Sequence, residues 1–155
     1  MGLKYGLGDL FNTMIALEKC GAGFYESAAL AADDLNVRET FKRLALQEKT
    51  HEKTYREMSL KIGDLPEIDG EYADYTADLI DRSFALTSKM SAKIATVSEA
   101  FEYAKRLEED SIKFLEVLEK LPGLGSKEIF GEIKQEEIKH LKIVENLIAK
   151  YSGKF

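Results

Sequence analysis

Four stretches of this 155-residue chain carry apolar residues at alternating spacings of three and four, the pattern that lines one face of an α-helix. The first gives Phe11, Met14 or Ile15, Ala22, Tyr25 and Ala29, and the second Phe41, Leu44, Tyr55, Met58 and Ile62. The third gives Val97, Phe101, Ala104, Leu115 and Leu118, and the fourth Phe130, Ile133, Val144 and Leu147. Each stripe is interrupted near its middle by polar residues that keep the same spacing. Glu18 stands in the first, Glu48 and His51 in the second, Glu108 in the third with Ser111 or Ile112 a turn later, and Glu137 and His140 in the fourth.

Start and stop signals bound these helices. The stretches between breaker clusters are rich in Ala, Leu, Glu and Lys, and the chain has only two prolines, Pro66 and Pro122, so the expectation is an all-α chain. Asp9 is expected to cap a first helix running to about Ala32, where Asp33 and Asp34 break the pattern. The capping box Asn36-Val-Arg-Glu39 opens the second, which ends at Gly63. Thr96-Val-Ser-Glu99 opens the third, which stops before Pro122-Gly123, and Ser126 caps the fourth, which runs to about Tyr151 before Gly153. Each helix is then about 25 residues, or roughly 35 Å, long.

Short links join helices one and two, and helices three and four, so each pair is expected to form an antiparallel hairpin. The expected organisation is a single domain over residues 1–155, with hairpins at about 9–63 and 96–151 joined by a crossover at 64–95. That crossover is too long for an ordinary loop, and the Glu71 to Leu86 part has helical composition, so a short helix is expected inside it. A connection of this length can traverse a bundle and bring helix three in parallel to helix two, which an up-down-up-down topology would not need.

Composition narrows the function classes. The formal net charge of −6, with acidic residues spread along the chain, argues against nucleic acid or anionic lipid as a partner. Cys20 is the only cysteine, which excludes an intramolecular disulfide and any paired-cysteine metal module, and fits a reducing cytoplasm. No apolar run reaches membrane-spanning length, and the N-terminus has no long apolar core of a signal peptide. The expectation is a cytoplasmic protein with no membrane partner.

The polar residues inside the stripes are the candidate chemistry. A Glu three residues before a His projects from the same helix face, so the two side chains can converge on one cation. In an antiparallel hairpin, residues equidistant from the turn face each other. The midpoint between Glu18 and the Glu48/His51 pair falls at Asp33 and Asp34, and that between Glu108 and the Glu137/His140 pair at about Gly123. Both midpoints coincide with predicted turns, so all six residues are expected at one depth. Burying an unpartnered ionised carboxylate costs on the order of several kcal/mol, so four together either bind cations or take up protons. Two divalent ions would balance four carboxylates with the imidazoles neutral, and an oxygen-rich set with some nitrogen suits Fe, Mn or Zn. Bundles build dinuclear sites from a Glu on each of two helices and a Glu-x-x-His on each of the other two. A metal-free alternative is a hydrogen-bonded polar layer of the same six side chains.

An internal repeat points the same way. Leu17-Glu18, Gly21, Phe24 and Glu26 in helix one match Leu107-Glu108, Ser111, Phe114 and Glu116 in helix three, and the leading Glu precedes the next His by 33 residues in one half and 32 in the other. The whole hairpin is duplicated. Tyr25 and Tyr55 lie in the same stripes and read as core aromatics, Cys20 lies off the Glu18 face, and Glu109 and Glu136 read as solvated.

With its Glu-Lys-x-Gly-x-x-Phe-Tyr run at Glu18 and its two Glu-x-x-His pairs, the chain resembles the rubrerythrin family of ferritin-like diiron-carboxylate proteins over nearly its whole length. The resemblance implies a ferritin-like four-helix bundle with one long crossover between helices two and three. It further implies two iron ions, with manganese or zinc as alternatives. Glu18 and Glu108 would be mainly terminal ligands, Glu48 and Glu137 would bridge, and His51 and His140 would each cap one ion. The activity it implies is reduction of hydrogen peroxide or dioxygen in protection against oxidative stress, with iron storage without turnover, or a manganese catalase-like site, as alternatives. Two departures stand out. Ser111 occupies a position where rubrerythrins proper carry an additional Glu tied to peroxidase behaviour, which puts peroxide specificity in doubt. A chain with one cysteine also has no four-cysteine rubredoxin module, so electrons would come from a separate donor such as rubredoxin. A homo-oligomer, most simply a dimer, is expected, and the long crossover makes exchange of hairpins geometrically easy.

Overall fold

The computed structural model describes the backbone of residues 6–62, 71–91, 97–121 and 127–151, and the side chains of residues 6–61, 73–86, 101–121 and 127–150. Five α-helices make up these residues: α1 (Leu7–Ala31), α2 (Leu35–Ile62), α3 (Glu71–Ser91), α4 (Val97–Lys120) and α5 (Lys127–Tyr151). The four long stripes become α1, α2, α4 and α5, each within three residues of the expected length of about 25. The connection between the hairpins carries α3, which at 21 residues extends five past the expected Leu86. The helices group into two compact units, one built from α1 and α2 and the other from α3, α4 and α5.

In the first unit the start of α1 differs from expectation. The helix begins at Leu7 with Gly6 as its cap. Asp9 lies in the first turn and reaches back, accepting a hydrogen bond from the Gly6 N–H at 2.8 Å. Asp9 therefore supplies the returning arm of a capping box rather than the cap, and its negative charge sits at the positive end of the helix dipole. A similar shift occurs at α2. Asp34 is the cap: its carboxylate accepts from the Val37 N–H at 3.1 Å and its carbonyl from the Arg38 N–H at 3.0 Å. Asn36 is already inside the helix, where its carbonyl accepts from the Thr40 hydroxyl. Arg38 turns back and donates to the Ala32 carbonyl through both Nε and a terminal nitrogen, at 3.2 and 2.8 Å. That fork satisfies a carbonyl left over at the end of α1 and fixes the link between the helices. The capping box at Thr96–Glu99, the Ser126 cap, the Pro122-Gly123 turn and the closing glycines Gly63 and Gly153 lie outside the described residues.

The hairpin of α1 and α2 is antiparallel. Tyr25 stacks on Phe41 with ring centroids 6.0 Å apart, and Glu26 forms an ion pair with Lys49 further along α2. Every described member of both stripes is buried, with Leu10, Phe11 and Leu44 at zero exposure, and each buried Leu, Ile, Met or Phe side chain contributes about 1.5–3 kcal/mol of transfer free energy.

In the second unit α4 runs antiparallel to α5, an arrangement pinned near the turn by Lys134 donating to Glu119 at 3.0 Å. Phe101, Ala104, Leu115 and Leu118 of α4 and Phe130, Ile133 and Val144 of α5 are buried as their spacing predicts. The α3 helix presents Thr76, Leu79, Ile80, Ser83 and Leu86 as its buried face and packs on α4. Asp110, itself buried, accepts from Arg82 at 2.8 Å and from the Ser83 hydroxyl at 3.2 Å. This clamp is a tertiary feature of the connecting segment. The three-and-four spacing of Thr76, Leu79, Ser83 and Leu86 signals the buried face of α3 but not the partner it meets. No helix among the described residues is long and apolar enough to cross a membrane.

Candidate metal centre

Helical periodicity delivers the candidate ligands to the core. Glu18 holds the apolar register of α1, and Glu48 and His51 hold that of α2, so burial of the flanking apolar residues carries the polar ones inward as well. All three are at most 2% exposed. His51 Nδ1 lies 3.7 Å from Glu18 Oε2, and the ligand atoms offered by Glu18, Glu48 and His51 lie within 4.8 Å of one another. Such spacing is what three donors about 2 Å from a shared cation would adopt.

The second unit repeats the arrangement. Glu108, Glu137 and His140 are likewise at most 2% exposed, and their ligand atoms also fall within 4.8 Å of one another. His140 Nδ1 is 3.7 Å from Glu108 Oε1 and 3.2 Å from Glu137 Oε2. The six residues singled out from the sequence therefore form two like triads, each with two carboxylates and one imidazole. This is the duplication seen in the sequence, expressed in three dimensions.

The electrostatics of the second triad are those of a site short of positive charge. Burial pushes the Glu108 carboxyl up from 4.5 to about 8, the charge of Glu137 and a hydrogen bond shared with it push the same way, and His140 offsets only part. A buried carboxyl in that state holds a proton at neutral pH, and a divalent cation is the natural replacement for it. The donor set fits a hard or borderline metal: four carboxylates and two imidazoles, with no thiolate in either triad.

The neighbours sort out as their spacing implies. Tyr25 and Tyr55 are fully buried core aromatics. Glu136 is exposed and Glu109 half-buried, both outside the triads. Cys20 is half-buried, and burial raises its thiol pKa, which keeps it protonated and unreactive rather than a thiolate nucleophile. Asp110 is the buried acid that the sequence pattern did not single out. It serves the α3–α4 clamp and lies outside the ligand groups.

No curated protein matches the chain. Among solved structures, a Thermotoga maritima protein described as a ferritin-like diiron-carboxylate protein matches with a TM-score of 0.75 at 20% identity, covering 98% of this chain and 100% of that one. At that identity the likeness speaks for the fold, a ferritin-like helical bundle. The family model for rubrerythrin matches residues 9–148, which takes in both hairpins and all six candidate ligands, so the chain belongs to the rubrerythrin family.

Proposed function

We propose that this protein is a non-haem diiron oxidoreductase that reduces hydrogen peroxide or dioxygen, drawing its electrons from a separate donor. The observation that carries the reading is the pair of like buried triads, Glu18/Glu48/His51 and Glu108/Glu137/His140. Four carboxylates in the core of a 155-residue chain are a large electrostatic cost unless matched, and two divalent ions match them in full. In this assignment His51 and His140 would each hold one ion, with Glu18, Glu48, Glu108 and Glu137 as the carboxylate ligands, as family membership implies. The metals would supply Lewis acidity and the electrons passed to the oxidant.

The chain's own residues do the rest. Phe11, Leu44, Phe101, Leu115 and Phe130 in the stripes exclude bulk water around the ligands and sharpen every charge interaction there. Where the triad lacks a cation, the Glu108 carboxyl holds a proton at neutral pH, and that proton would leave when a cation binds.

The test begins with anaerobic addition of Fe(II) to metal-free protein and measurement of bound iron. Two ions per chain are expected, falling to about one in His51→Ala or His140→Ala. The loaded protein is then mixed separately with hydrogen peroxide and with dioxygen, and iron oxidation is followed by near-ultraviolet absorbance. Repeated oxidation and re-reduction with added rubredoxin supports the oxidoreductase assignment. Oxidation that stops after one cycle, with iron retained, would point instead to storage. Preferential binding of manganese with disproportionation of peroxide would point to a catalase-like centre. No uptake of any of these metals would refute the assignment altogether.

A further inference from the structure

Four helix threonines among the described residues follow a simple rule that Ser111 does not. Thr13, Thr40, Thr50 and Thr54 each donate to the backbone carbonyl four residues earlier, at 2.8, 2.8, 3.1 and 3.0 Å. This is the usual resting place for a hydroxyl within a helix. Ser83 instead donates to Asp110. Ser111 is 3% exposed, yet its Oγ has no hydrogen-bond partner among the described residues, not even the Leu107 carbonyl one turn back. A hydroxyl buried in this way lowers stability relative to a plain methyl group, so its presence calls for a ligand outside the fold.

Its position says which ligand. Ser111 lies three residues after Glu108, on the same face of α4 and one turn along. Thr76 on α3 also has a buried, unpartnered hydroxyl, but the buried residues one turn along its helix are the apolar Leu79 and Ile80. Beside Ser111 stands a carboxylate of the triad.

We propose that the Ser111 hydroxyl donates a hydrogen bond to a small exogenous anion bound at the metal centre, and so helps set which anions the centre accepts. The inference rests on the metal assignment above. Ser111 is a positioning residue for the incoming ligand and not itself a metal ligand. A compact anion with lone pairs beyond those it gives the metal, such as azide, is the chemical class that one hydroxyl at this place can recognise.

The probe is azide. Wild type, Ser111→Ala and Ser111→Thr are loaded with iron, oxidised, analysed for bound metal and titrated with azide while its charge-transfer absorbance is followed. Two irons per chain are expected in all three, with azide binding about tenfold weaker in Ser111→Ala and within about twofold of wild type in Ser111→Thr, which retains the hydroxyl. The metal-free alanine variant should melt at or above the wild-type temperature, because it loses no hydrogen bond. Equal azide affinity in wild type and Ser111→Ala at full iron occupancy would overturn this inference and leave the metal assignment standing. A lower melting temperature of metal-free Ser111→Ala would also overturn it, because the hydroxyl would then serve the fold. Failure of the wild type to bind iron would overturn both.

Discussion

Replacing Glu108 with Gln should stabilise the metal-free protein at alkaline pH while abolishing its second metal. The Glu108 carboxyl is pushed from 4.5 up to about 8, first by burial and then by Glu137. Because the folded state holds this proton more tightly than the unfolded chain, stability is fully present below about 4.5 and is lost as pH rises through about 8. At about 1.4 kcal/mol per pH unit, the interval corresponds to roughly 5 kcal/mol withdrawn from the unfolding free energy by the time Glu108 is ionised. A glutamine of nearly the same shape never ionises. It forfeits part of the benefit because its amide pairs less well with Glu137 and His140, leaving a net gain of about 2–4 kcal/mol at alkaline pH. For a domain of this size, that raises the melting temperature by roughly 5–15 °C. The assay is thermal unfolding by circular dichroism in chelator at several pH values from 4.5 to 9, comparing Glu108→Gln with wild type so that titrations remote from the triad cancel. The variant should melt somewhat below the wild type at pH 4.5, where Glu108 keeps its proton, and cross above it as pH rises through about 8, while in the proposed assignment iron bound per chain falls from two to about one. Equal melting temperatures at pH 9 would refute the claim that the buried carboxylate is destabilising, as would a variant that melts lower there.

Asp110→Ala removes the acceptor of both Arg82 and Ser83 and should cost about 2 kcal/mol, allowing for the half-exposed arginine. Hydrogen exchange should then speed up in α3, with iron stoichiometry unchanged. Asp34→Ala removes the α2 cap and should cost about 1 kcal/mol, read as a melting temperature lower by about 2–4 °C. Lys49→Ala breaks an ion pair whose partners are each about half exposed, so chemical denaturation should register a change within about 0.5 kcal/mol. Saturating Zn(II) should raise the melting temperature of the wild type well above that of the metal-free protein, and chelator should reverse it, because a ligand that binds only the folded state stabilises it by mass action.

Much of this protein was legible in one dimension. The stripes of Phe11 to Ala29, Phe41 to Met58, Phe101 to Leu118 and Phe130 to Val144 are buried as their spacing implies, because a helix converts sequence interval directly into angle. The same rule placed Glu18, Glu48, His51, Glu108, Glu137 and His140 inside, since each keeps the register of its apolar neighbours. Two helix starts lie two or three residues before the expected caps, at Gly6 and Asp34 instead of Asp9 and Asn36. An acid near a helix start can be the cap or the arm that reaches back to it, and only the hydrogen bonds of Asp9 and Asp34 distinguish the two. The Asp110 clamp was not legible, because Arg82 and Ser83 lie 28 and 27 residues away and no local rule links them.

Sequence alone thus determined which face of each long helix is turned to the core and which face carries the chemistry, since both follow from periodicity within a single element; Leu147, at the end of the fourth stripe, is only half-buried. Tertiary structure decided the quantities that depend on several elements at once. It set how α3 is held to α4, how closely His140 approaches Glu108 and Glu137, and how far the Glu108 carboxyl is pushed from its ordinary range. It also left Ser111 without a partner. Those outcomes depend on distances between helices and on the dielectric they enclose, which no spacing along the chain encodes.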